Sequence, residues 1–228
     1  MIDGEMVVAI LTGHDLKSKN GKTGAMPQVW IFRADRHPVE AMRDGSDHSV
    51  CGNCPHRPKR LGPTALQKDS RSCYVKTMNM GVMYKKYANG GYESPSLSDI
   101  KEILSGKHVR IGAYGDPAAI PLEVWDTILA DCESTGYTHQ WRNCDNGYSK
   151  YCMASCDNVT DVIDATKEGY RTFFVQTPAS EFVRTVGNIK LSHCPASKEM
   201  GRVTNCDNCM ACSGIRSGRK SNITILMH

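Results

Sequence analysis

Residues 108–132 decide the fold: His108-Val-Arg-Ile-Gly-Ala-Tyr114, then Gly115-Asp116-Pro117, then Pro121-Leu-Glu-Val-Trp-Asp-Thr-Ile-Leu-Ala-Asp-Cys132. The first run is β-prone and stops at a turn. Pro121 then stands where a helix tolerates proline, in its first turn, and Glu123 complements the helix dipole. Leu122, Trp125, Ile128, Leu129 and Cys132 fall on one helical face. A strand followed by a turn and an amphipathic helix is the unit of a parallel sheet.

The same alternation continues downstream. Thr135-Gly-Tyr-Thr-His139 and Tyr151-Cys-Met-Ala154 read as strands. Asp157 or Asn158 is placed to cap a helix bearing Val159, Val162, Ile163 and Thr166, which Gly169 would end. Arg171-Thr-Phe-Phe-Val-Gln176 is a further strand, Ala179 to Val186 a further helix, and Ile223-Thr-Ile-Leu226 a closing strand. Upstream, Met6 to Leu11 and Val29 to Phe32 are short apolar runs, and residues 51–96 look irregular. The reading is an α/β chain: a partial (β/α) barrel with a mostly parallel sheet and cysteine-rich metal-binding loops. Its divisions are 1–190, the barrel with a cysteine-bearing loop at 51–75, and 191–228, a metal-binding tail with a closing strand.

Parallel α/β folds bind ligands at the carboxyl ends of their strands. Here those ends carry Gly115-Asp116-Pro117, His139-Gln140-Trp141-Arg142, Ser155-Cys156-Asp157-Asn158 and Gln176-Thr177. His139, Gln140, Arg142 and Asn158 are therefore the candidate substrate-facing residues.

Composition narrows the function classes. The chain of 228 residues has 28 basic and 24 acidic side chains, too even a balance to signal nucleic-acid binding by itself. No run approaches the ~18 apolar residues of a membrane span. The opening MIDGEMVVAILTGHD lacks the cleavage pattern of a signal peptide, so a cytoplasmic setting is expected. Eleven cysteines are then the anomaly, since clustered thiols in a reducing compartment bind metal or do chemistry rather than form disulfides.

The tail holds Cys194-Pro195 and Cys206-Asp-Asn-Cys209-Met-Ala-Cys212, the ligand spacing of ferredoxin-like iron–sulfur clusters. Zinc is the alternative. Upstream, Cys51-Gly-Asn-Cys54-Pro-His56 and Cys73 supply three thiols with no clear fourth, as a 4Fe-4S cluster with one open iron requires. Such an iron chelates S-adenosylmethionine. Eighteen residues separate Cys54 from Cys73, unlike the compact Cys-x3-Cys-x2-Cys of radical enzymes, and His56 could complete a zinc site instead. Cys132 and Cys152 read as small core residues, while Cys144 and Cys156 stay open.

Other motifs carry less. Lys19-Asn-Gly-Lys-Thr23 mimics the end of a phosphate loop, but its required glycine would fall at Leu16. His139 has no second histidine two residues away, and neither Gly-x-Ser-x-Gly nor His-Glu-x-x-His occurs. Arg216, Arg219 and Lys220 read as a solvated basic loop.

Lys22-Thr-Gly24, Cys51-x-x-Cys54-Pro, Cys73-Tyr74, Val109-Arg-Ile with Gly115-Asp116, Tyr137-Thr138 before Trp141, Ala154-Ser-Cys-Asp157 and the tail cysteines follow one another in a specific order. In that order the chain resembles the phage proteins of the "gene product 88" type over nearly its whole length, which implies a phage protein in the host cytoplasm. A cysteine loop followed by strand-Gly-Asp-Pro also resembles a compact radical S-adenosylmethionine barrel. On that resemblance Gly115, Asp116 and Pro117 line the cofactor. The cysteine spacing itself leads to the expectation that Cys51, Cys54 and Cys73 hold one cluster and Cys194, Cys206, Cys209 and Cys212 an auxiliary one. The expected partner is a small-molecule or nucleic-acid substrate, with no membrane. The competing expectation is a zinc-stapled phage protein that binds nucleic acid or a host protein without catalysis.

Overall fold

The computed structural model describes residues 2–15, 20–59, 70–177 and 181–227. Leu16 and Lys19 of the rejected phosphate loop lie outside them. The chain is a mixed α/β fold with two open, mostly parallel sheets.

The first sheet begins with the two upstream apolar runs, β1 (Val7–Thr12) and β2 (Gln28–Arg33), paired antiparallel. Four helices follow: α1 (Pro38–Asp44), α2 (His48–Cys51), α3 (Thr77–Ala88) and α4 (Leu97–Leu104). Residues 51–96 are thus less irregular than their composition suggests. Met80 and Tyr84 lock α3 onto the core, and Ser96 and Asp99 close a capping box at the start of α4. β3 (His108–Tyr114) then runs parallel to β2. α5 (Leu122–Ile128) leads to β4 (Glu133–Thr135), parallel to β3.

At Gly136 the chain changes sheet. The expected strand at 135–139 is split, so that Tyr137–Thr138 forms β5 of a second sheet. β6 (Met153–Cys156), α6 (Val159–Lys167) and β7 (Thr172–Gln176) complete its forward run. β8 (Thr185–Val186) and β9 (Ile189–His193) form an antiparallel pair at the far edge. After α7 (Cys206–Cys209) the last strand, β10 (Asn222–Leu226), enters between β7 and β9, parallel to both. The order is β5-β6-β7-β10-β9-β8. The division at 190/191 therefore falls inside β9, and the tail shares the sheet of the body.

The helix expected over Ala179 to Val186 is corrected. Ala179 and Ser180 lie outside the described residues, and Glu181 onward leads into β8, where Val186 is buried and pairs with Ile189. That apolar spacing serves a strand edge.

The alternation of side chains separates two faces of the second sheet. Ala154, Cys156 and Phe174 pack against Val162 and Ala165 of α6. Met153, Ile223 and Ile225, with Phe173 and Val175 beside them, face the cysteines of the tail. The first sheet packs its own core, with Ile31, Val109 and Ile111 against Leu104, Trp125 and Leu129. Cys132 and Cys152 are buried there, as expected, and Cys156 is fully buried under α6. No helix among the described residues is long and apolar enough to cross a membrane.

Candidate metal centres

The upstream loop is held by groups the sequence does not place side by side. Arg57 donates to the buried Asp47 carboxylate at 2.6 and 3.1 Å, to Gly45 O at 2.8 Å and to Gly52 O at 2.9 Å. One guanidinium thereby pins both ends of the turn that carries Cys51. Gly52 adopts φ 53°, and a Cβ there would sit 2.3 Å from the Gln140 side chain. The positive φ calls for glycine, and any Cβ would also force the Gln140 amide to move. Gln140 fills the space the glycine leaves, donating to Cys51 O and accepting from Asn53 N, each at 3.3 Å. Cys73 is drawn in by its own N–H, which donates to His56 O at 3.2 Å. Cys51, Cys54 and Cys73 consequently share one electrostatic neighbourhood. Burial raises the thiols of Cys51 and Cys73 above their ordinary range.

Beside these thiols stands a group that brings together three distant segments. Asp157, at the exit of β6, receives His56 Nε2 at 2.8 Å and lies 3.3 Å from His139 Nε2. The second contact is off the hydrogen-bonding direction, and His139 Nε2 is a buried nitrogen without a hydrogen bond. His56, His139 and Asp157 are the three donors whose ligand atoms all lie within 4.8 Å of one another among the described residues. Burial works against a charged His139, but the Asp157 carboxylate and the Cys54 thiol outweigh it and raise its pKa to about 10. Asp157 is held well below the carboxylate range: its contacts with His139 and then His56 outweigh burial, which acts the other way.

The predicted site residues divide into two groups. His139 and the three upstream cysteines come together. Gln140 is beside them, but its amide is committed to the cysteine loop. Gly115 makes the turn after β3 with φ 79°. Pro117 is buried in a 3-10 turn, and the buried Asp116 caps that turn through Ala118 N and accepts from His139 N at 2.8 Å. Its own N–H donates to Val50 O, so this turn is the seat of the loop. Arg142 pairs with Asp161 at 2.8 Å and lies over the Trp141 ring, and Asn158 caps α6 by accepting from Asp161 N. Both of these belong to the α6 terminus. Sequence reasoning missed Asp157 as a partner of His56, 101 residues away. Its only signal was a carboxylate at a strand exit.

The tail site is built on the second sheet. Cys194 follows β9 and donates its N–H to Thr224 O at 2.9 Å. Asn205 caps α7 by accepting from Asn208 N, and Met210 at φ 49° turns the chain so that Cys212 follows. Cys194, Cys206, Cys209 and Cys212 line one recess together with Thr135, Tyr137 and Ile223. Burial raises Cys212 to about 12 and lifts Cys194 and Cys206. The buried Arg171 anchors this segment, donating to Ser213 O at 2.5 Å, Ala211 O at 2.7 Å and Ser221 O at 3.1 Å. The basic stretch beyond it is not a free solvated loop. Arg216 donates to Leu129 O and Cys132 O, and Arg219 pairs with Glu133 at 2.7 Å.

Zinc–thiolate bonds of about 2.3 Å put tetrahedral sulfurs about 3.8 Å apart. Among the described residues no three cysteine sulfurs gather within 4.8 Å. Set against models of known families, curated proteins and solved structures, the chain finds no match.

Proposed function

We propose that the chain is an iron–sulfur protein of the radical S-adenosylmethionine type, related to phage proteins of the gene product 88 kind and working in the host cytoplasm on a small-molecule or nucleic-acid substrate. The observation that carries this reading is the convergence of Cys51, Cys54 and Cys73 in one loop seated on the carboxyl ends of β3, β5 and β6. On it those three cysteines hold a 4Fe-4S cluster with one iron open, on a partial barrel made of the two sheets. Cys194, Cys206, Cys209 and Cys212 hold an auxiliary cluster. When bound, the first cluster supplies the one-electron reductive cleavage of S-adenosylmethionine. The chain's own residues prepare the place. Arg57, Asp116 and Gln140 fix the loop, and the Gly115–Pro117 turn lies beneath it. His139, backed by Asp157, is the polar group facing the thiols and the residue placed to orient a substrate.

One observation favours a second reading. His56, His139 and Asp157 are close enough to hold a single divalent ion such as zinc. This would make the chain a zinc-stapled binding protein.

Anaerobic purification with metal and sulfide analysis, followed by incubation with reductant and S-adenosylmethionine, separates the two. Brown protein containing iron and sulfide, releasing 5′-deoxyadenosine and methionine, and losing both products in Cys54→Ala, is expected. Colourless protein with stoichiometric zinc and no cleavage overturns the proposal.

A further inference from the structure

Arg110, in β3, is buried between the two thiol groups, and no carboxylate pairs with it among the described residues. Its Nη2 donates to Tyr74 Oη at 2.8 Å, and Tyr74 directly follows Cys73. On the other side its guanidinium stands 5.5 Å from the ring centroid of Tyr137, which lines the tail recess. The groups around it able to carry negative charge are Tyr74, Tyr137, Cys206 and Cys212.

Other buried or half-buried arginines of the chain are balanced by visible means. Arg57 meets Asp47, and Arg171 meets three backbone carbonyls. Arg110 has neither arrangement. A buried guanidinium without a counter-ion costs several kcal/mol. Phenols, with pKa values near ~10, do not supply negative charge at neutral pH. Cysteines supply it when they ligate a metal, because the ligating form is the thiolate.

We infer that Arg110 is the internal counter-cation of a metal–thiolate centre at Cys194, Cys206, Cys209 and Cys212, and through Tyr74 the direct link from that centre to the upstream loop. The inference rests on the tail binding a metal, iron–sulfur or zinc. It has a definite electrical sign: a reduced cluster is one charge more negative than an oxidised one, so a fixed cation beside it favours reduction.

The test uses the full chain reconstituted anaerobically with iron and sulfide, both as wild type and in a Cys54→Ala background that retains the tail thiols. Arg110→Gln is compared with Arg110→Lys, and the readouts are iron content and a spectroscopic redox titration. Arg110→Gln should keep its iron yet lower the reduction equilibrium at least tenfold, about 59 mV for a one-electron couple, with Lys restoring most of it. If the wild type takes up zinc instead, the cluster reading fails and the same variants are compared by chelator competition. A tenfold weaker zinc affinity in Gln, recovered in Lys, then supports the inference. An unchanged potential or affinity in Arg110→Gln overturns it while leaving the metal reading intact. A wild type that binds no metal overturns both.

Discussion

Arg171→Met removes the guanidinium that holds the cysteine tail while keeping most of the aliphatic volume. Three carbonyls lose a charged donor: Ser213, Ala211 and Ser221. Their fates differ. Ser213 is buried and has no solvent to replace the bond, whereas Ala211 is half-buried and Ser221 is exposed and regains water. A charge-assisted bond to a buried carbonyl contributes about 2–3 kcal/mol, a half-buried one about 1, and an exposed one little. Burial itself disfavours the charged Arg171, so removing it returns part of that cost. The net loss is about 3 kcal/mol, a large fraction of the roughly 5–15 kcal/mol that holds a domain together. Urea unfolding of the metal-free chain should show the midpoint falling with an unchanged m-value. The loss should be uneven, since Ser213 follows Cys212 directly. Thiol labelling under native conditions should therefore open Cys212 before the buried Cys132 or Cys152. A loss under 1 kcal/mol, with Cys212 as protected as in the wild type, would refute the claim that Arg171 anchors the tail.

Other perturbations follow from the same contacts. Gly52→Ala drives a methyl into Gln140 at a positive φ and should cost about 1–3 kcal/mol, with metal lost from the upstream site while the tail retains its own, read as iron or zinc per chain. Asp47→Asn leaves Arg57 half-buried without its anion and should destabilise the chain by about 3 kcal/mol in urea, whereas exposed Asp35→Asn should change stability by less than ~1 kcal/mol. For the metal-free chain the His139–Asp157 pair sets two pH limits. The raised histidine contributes stability that is complete below its unfolded pKa of about 6.5 and is lost as pH rises toward about 10. The depressed Asp157 contributes stability that is present above about 3.9 and is lost as pH falls. Asp157→Asn should flatten both limbs of a melting-temperature profile against pH, and a profile of unchanged shape would contradict the pairing.

The features readable from sequence are those set by near neighbours. Strand 108–114 with its Gly-Asp turn, the Asn158 cap and the Cys206-x-x-Cys209-x-x-Cys212 run each depend on residues a few positions apart. The His56–Asp157 contact spans 101 residues and exists because β5 and β6 emerge side by side beneath the cysteine loop. No local pattern encodes that. α3 was hidden because its interior carries Gly81 and Asn79 and its apolar side is completed by only two buried residues, Met80 and Tyr84. Gln140 is legible as a polar residue at a strand exit, but not its turn toward the cysteine loop, where its amide occupies the space left by the missing Cβ of Gly52.

β10 comes late in the chain but lies in the interior of its sheet. Until residues 222–226 are made, β7 and the β8–β9 pair have no strand to join them, and the Cys194 N–H lacks the Thr224 carbonyl that receives it. The tail thiols can thus reach their final arrangement only after nearly all of the described chain has been synthesised. On the proposed metal reading, delivery of that metal must act on an almost finished protein, and a product cut short before Asn222 would present bare strand edges of the kind that recruit other chains.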